Sequence, residues 1–238
     1  MADPVHVLTE IWQRATATQP APSSTVVLAT AAVAALVVLM PRVWPVARHV
    51  ITLVHEGSHA SVAVLTGRRL TGIRLHSDTS GLTVSVGHPR GPGMIATAFA
   101  GYVGPGLVGL GAAWLTSRGH AVAVLWILLL LLLLMLVQIR NWFGLWSVLV
   151  TGAGLVAVTW WAAPQWQTTT AYALAWFLLL GAPRPVLELL AHRGPGSDAD
   201  LLARLTRLPA LLWVLVFGAV TIATGVLGGS LLVIARVA

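Results

Sequence analysis

LVHEGSHASVAVLTG, residues 53–67, sets a glutamate between two histidines inside an otherwise apolar run. An ionisable side chain at the centre of a bilayer helix costs about 2.5–3.5 kcal/mol on insertion scales. Something has to offset that cost at His55, Glu56 and His59. Histidines four residues apart share one face of a helix, so both can grip a single cation. Glu56 then reaches a water beside that cation rather than the cation itself. Two zinc ligands on one helix with a glutamate as general base is the zincin arrangement. Zinc brings the pKa of its water to about 7 and polarises a carbonyl, which makes peptide hydrolysis feasible near neutrality. The competing reading is a buried polar cluster paired with arginine or holding another cation.

The surroundings of this stretch are those of a membrane. The chain has 238 residues, 57% hydrophobic and 9% charged, against about a quarter charged in a soluble domain. The composition therefore predicts an all-α polytopic membrane protein. Cysteine is absent, which excludes disulfides and thiolate metal sites. All fourteen basic residues are arginine, and the net charge is +7. They stand singly or in pairs between apolar segments, as topology signals do, so no nucleic-acid partner is expected. The first 23 residues lack the compact apolar core of a secretory signal and read as an N-terminal segment, an amphipathic helix over 7–15 followed by a linker. Residues 24–238 read as one membrane domain.

A crossing needs roughly 20 apolar residues. Candidate spans lie near 24–41, 44–66, 93–116, 120–139, 142–163, 169–190 and 209–235, which predicts six to seven transmembrane helices with a soft boundary at Pro41 and Arg42. Seven spans put the chain ends on opposite sides. The arginine excess, including Arg14, Arg68, Arg69, Arg74, Arg90, Arg140, Arg193, Arg204 and Arg207, then marks the N-terminal side as cytoplasmic, with Arg236 on the other. Within 67–92, LTGIRLH and GLTVSVG alternate around DTSG and predict a cytoplasmic β-hairpin directly after the motif helix. In 191–208 a Gly/Pro loop precedes a short amphipathic helix starting near Ser197. The tryptophans, among them Trp142, Trp160, Trp161, Trp166 and Trp213, mostly fall near span ends as interfacial anchors. Small residues in AFAGYVGPGLVGLG, 98–111, permit close packing of the third span on the motif helix.

The segment HEGSHASVAVLTGRRLTGIRLHSDTSGLT, followed by AGYVGPGLVG, resembles the site-2 protease family of membrane-embedded zinc metallopeptidases, and more closely its bacterial B-type branch. RNWFG at 140–144 and SDADLLARLTRLPALLW at 197–213 are similar to later landmarks of that branch. The resemblance implies one zinc ion per chain, His55 and His59 as ligands and Glu56 as base. It implies a multi-pass protein of a bacterial cell membrane, in contact with lipid, that cleaves transmembrane or membrane-proximal protein substrates. With no room for a separate recognition domain, a partner protein for substrate delivery is a further expectation. The family's third ligand comes from an Asp-Gly pair in a later span after Asn-x-x-Pro. Here Asn141 stands for the asparagine, Gly144 replaces the proline, and Thr151-Gly152 occupies the Asp-Gly position. Asn141 is kept as possible polar support for the oxyanion.

The third ligand must then come from Asp78, Glu188, Asp198 or Asp200. Asp78 is explained by its turn, and Glu188 can pair with Arg184 four residues earlier. Ser197 and Asp200 make a capping box that does not need Asp198, so Asp198 is the preferred ligand. The hairpin offers either a plug for the bundle or a strand edge, 69–75 or 82–87, on which an extended substrate can pair. Two other readings remain: a non-proteolytic membrane scaffold that retains the metallopeptidase fold, and a small transporter with a midplane site.

Overall fold

A computed structural model describes residues 3–192 and 196–234. The arginines at 193 and 236, counted above for sidedness, lie outside the described residues. The helices are α1 (Pro4–Thr16), α2 (Ser24–Leu39), α3 (Trp44–Leu65), α4 (Pro92–Ser117), α5 (Ala121–Gln138), α6 (Trp142–Trp161), α7 (Pro164–Gly181), α8 (Pro183–Ala191), α9 (Asp198–Thr206) and α10 (Ala210–Ile234). Strands β1 (Arg69–Leu75) and β2 (Gly81–Val86) form an antiparallel hairpin between α3 and α4. The chain is a multi-pass, all-α membrane protein with one small sheet.

Five helical segments have the length and hydropathy to cross a membrane: α4, α5, α6, α7 continued by α8, and α10. α2 and α3 pass that test only together, bent by 102° at the break between them. Pro41 and Pro45 flank the break, and proline cannot continue a helical hydrogen-bond ladder. α4 is the central span. Half of its apolar window is buried, against 22% for α6 and for α10. Its own proline, Pro105, is buried inside the helix, where neighbouring helices can accommodate it. The leucine-rich α5 leaves Leu130, Leu131, Leu133 and Leu134 exposed, as a lipid-facing helix should.

Contacts along α4 sort the molecule into two ends. At the first, Gln19 donates its backbone N–H to the Gly119 carbonyl (2.7 Å) and its side-chain oxygen accepts from the Val122 N–H (3.0 Å). Leu232, near the end of α10, shares a buried cluster there with Val27, Ala112 and Ala121. At the other end, Gly93 at the start of α4 packs on Thr66 at the end of α3. The Arg140 N–H of the α5–α6 turn donates to the Ile73 carbonyl of β1 (2.9 Å). Ala199 and Leu202 of α9 pack with Ala98, Val214 and Phe217.

The start of α2 and the end of α10 therefore lie at one end of the bundle, with the hairpin and α9 at the other. This corrects the expectation of chain ends on opposite sides. The two apolar stretches flanking Pro41 were read as two crossings, whereas they form one bent pair, so the described residues hold five crossing helices, or six when the bent pair is counted as one span. The hairpin itself has the expected strands, closed by a turn in which Asp78 Oδ1 accepts from the Ser80 N–H (3.0 Å) and hydroxyl (2.6 Å).

Because the chain has no cysteine, single cysteines report sidedness cleanly. In sealed vesicles, Thr18→Cys and His88→Cys are expected to react with an impermeant maleimide from opposite faces. Labelling of both from one face would mean that α2 and α3 do not together make a single crossing.

Candidate metal centre

α3 carries the motif. Its helical spacing brings His55 Nε2 and His59 Nε2 to 3.1 Å from each other. Asp198, the first residue of α9, adds its Oδ2 at 3.3 Å from His55 Nε2 and 3.2 Å from His59 Nε2. The three donors thus form a nearly equilateral triangle. A tetrahedral zinc ion at about 2.0–2.1 Å from each ligand has ligand–ligand edges of roughly 3.3 Å. The triangle matches that requirement, and two imidazoles with one carboxylate are a suitable donor set for zinc. Among the described residues these three form the group of histidine and acidic side chains able to hold a metal ion.

The shell around the donors favours the same use. His59 donates its Nδ1–H to the Thr97 carbonyl of α4 at 2.6 Å. That bond makes Nδ1 a protonated nitrogen and turns Nε2 toward His55 and Asp198. His59 is 8% exposed and Glu56 4%, so both are withdrawn from water. Asp198 is free to serve because its neighbours do the capping. The Ser197 side chain accepts from the Asp200 N–H, and Asp200 Oδ2 accepts from the N–H groups of Gly196 and Ser197. Burial alone would raise the Asp198 carboxyl, but the hydrogen bonds from His55 and His59 outweigh it and hold it well below the ordinary carboxylate range.

Glu56 is gripped by the hairpin. Thr83 of β2 donates its hydroxyl to Glu56 Oε2 at 2.6 Å, and the Thr83 hydroxyl oxygen also lies 3.1 Å from the Glu56 backbone carbonyl. Gly81 packs so closely on this carboxylate that a Cβ there would come within 2.6 Å of Glu56 Cδ. Thr52 extends the latch by donating to the Thr79 carbonyl at 2.9 Å. On the opposite side, Gly101 of α4 lets the two helices touch under the ligands. A Cβ at 101 would collide with the His59 ring and stand 2.6 Å from His55 Nε2. Gly81, Thr83, Thr97 and Gly101 are all absent from the residues expected from sequence. The small-residue stretch around 101 announced close packing but not what it packs on.

Asn141 lies elsewhere. Its Nδ2 donates to the Leu75 carbonyl at 2.6 Å, and its Oδ1 accepts from the Leu75 N–H at 3.1 Å. With Ile139 bridged in parallel to Ile73, residues 139–141 cover the outer edge of β1. The amide is thus committed to the backbone of β1 instead of the metal centre, and the Ile73–Leu75 part of the β1 edge is covered. Glu188 pairs with Arg184 (3.4 Å) and Arg48 (3.0 Å) and accepts from Trp44 Nε1 (2.8 Å). Asp78 stays in its turn, and Thr151 and Gly152 of α6 contribute nothing to the site.

A half-broken span, a hairpin beside a helical His-Glu-x-x-His site and a donor triangle of zinc dimensions define a membrane metallopeptidase architecture. The family described as Peptidase M50B-like matches residues 28–228, and the chain belongs to it, as a member of the site-2 protease family. No curated protein and no solved structure matches the chain.

Gly101→Ala tests the packing that seats the ligands. It is expected to weaken zinc binding by roughly 10–100-fold, the scale of second-shell substitutions, measured by chelator competition on the folded protein. Unchanged affinity would show that α4 does not constrain the imidazoles.

Proposed function

We propose that this protein is an intramembrane zinc endopeptidase that hydrolyses peptide bonds of membrane-embedded or membrane-proximal protein substrates. The observation that carries the reading is the triangle of His55, His59 and Asp198 with a buried Glu56 one residue from the first ligand. A zinc ion held by those three residues supplies Lewis acidity to the scissile carbonyl and acidifies water. Glu56 takes the proton from the attacking water and delivers it to the departing amide nitrogen. Thr83 and Gly81 orient Glu56 for that exchange, and burial in an apolar bundle limits competing water.

The substrate must be extended, because helical amides are closed by their own hydrogen bonds. With the β1 edge covered by residues 139–141, β2 is the strand that can take an added segment. It also carries Thr83, the residue in contact with Glu56, so a paired peptide is brought beside the base. The site lies at the end of the bundle that holds Arg68, Arg69, Arg74, Arg90, Arg140, Arg204 and Arg207, whereas Arg14 and Arg118 flank the other end. The arginine excess supports a cytoplasmic site and an N-terminus on the opposite face. This keeps both functional loops on the side expected and reverses the N-terminus. The scaffold alternative drew on the missing Asp-Gly pair; the Asp198 carboxylate beside both imidazoles supports the peptidase reading over it.

The test is Glu56→Gln in the native host, read by quantitative mapping of membrane-protein fragments. Fragments present with the wild-type chain and absent with Glu56→Gln, at equal metal content, are expected. Fragment patterns that do not depend on Glu56 would instead favour the scaffold.

A further inference from the structure

His55 has a second ring neighbour besides His59. Tyr102 of α4 meets it edge-on, with ring centroids 4.9 Å apart and planes at 83°. The far face of the phenol is stacked on Phe217 of α10, 4.9 Å away and inclined by 13°. Two helices therefore fix the ring against a metal ligand. Packing explains the ring and leaves the hydroxyl without a task. A tyrosine hydroxyl in a partly buried setting ordinarily finds a partner, yet among the described residues this one has no hydrogen bond. The charged groups around it are Asp198 and Glu56 of the metal centre, and Arg48 and Glu188. The ring thus stands against the metal centre with its hydroxyl uncommitted.

Hydrolysis of an amide builds negative charge on the carbonyl oxygen, and a preorganised neutral donor aimed at it stabilises that charge. Asn141, the donor expected from sequence, is committed to Leu75. Glu56 is an acceptor and is held from the hairpin side. We propose that the Tyr102 hydroxyl is the donor to the substrate carbonyl oxygen at this site, an assignment that rests on reading the site as a metallopeptidase centre.

The experiment uses the full-length chain loaded with cobalt(II), which reports ligand changes through its visible bands, and acetohydroxamate as a carbonyl-bearing probe. Tyr102→Phe keeps the ring and deletes only the hydroxyl. The expected result is cobalt affinity within about twofold of wild type with acetohydroxamate bound roughly tenfold more weakly or worse, the scale for a lost hydrogen bond to a charged oxygen. Equal acetohydroxamate affinity in the two proteins would overturn the proposal. A parallel loss of cobalt and probe would also overturn it, since the residue would then act through His55. If Tyr102→Phe fails to fold, 3-fluorotyrosine at position 102, a stronger donor of nearly the same size, decides. Tighter probe binding supports the assignment and unchanged binding refutes it. A wild-type chain that takes up no metal contradicts the metallopeptidase reading itself, and the proposal falls with it.

Discussion

The carboxylate of Asp198 set against two imidazoles is the constraint on which the rest of the architecture depends. A buried charge without partners costs several kcal/mol, and three polar donors within 3.1–3.3 Å of one another in an apolar bundle are stable only with a shared cation or proton. Several elements converge to satisfy that demand. α3 supplies the imidazoles, α4 approaches at Gly101 and holds the His59 Nδ1–H through the Thr97 carbonyl, and α9 delivers the carboxylate. α9 has only nine residues and no span of its own. It is positioned by a capping box and by Ala199 and Leu202 buried against α4 and α10. The position of the Asp198 carboxylate therefore depends on the docking of a short helix against α4 and α10.

The hairpin serves the neighbouring carboxylate in the same way. It turns back along α3 from the end of that helix, so its second strand passes the helix face that carries Glu56. Thr83 and Gly81 then hold the acid in one orientation. The covered edge of β1 and the open edge of β2 give the hairpin a direction, with its structural side toward α5 and α6. The strand that grips Glu56 is the one turned away from residues 139–141, while Tyr102 meets His55 from α4.

Much of this was legible in the sequence because the signals are local. The four-residue spacing in HEGSH, the alternation in LTGIRLH and GLTVSVG, and the Ser197–Asp200 cap are each written in adjacent residues. Asp198 could be singled out as a candidate only because acids are so few. The break between α2 and α3 was not legible as a single crossing, since both halves are apolar and Pro41 marks a boundary without giving an angle. Asn141 misled for a related reason. Its neighbourhood looked like a landmark of a catalytic span, but a parallel bridge between Ile73 and Ile139 decides where its amide goes. Contacts such as Thr83 to Glu56 and Gly101 to the imidazoles join residues 27 and 42 or more positions apart and leave no periodic trace.

The central claim is that α9 completes a three-residue zinc centre. Its most direct test is zinc X-ray absorption, with metal content, on the purified full-length chain beside Asp198→Ala. The account predicts about one zinc per chain with nitrogen and oxygen ligands at about 2.0–2.1 Å, two of them imidazoles, and loss of the metal in the Asp198 variant. Full zinc occupancy with an unchanged ligand shell in Asp198→Ala would contradict it.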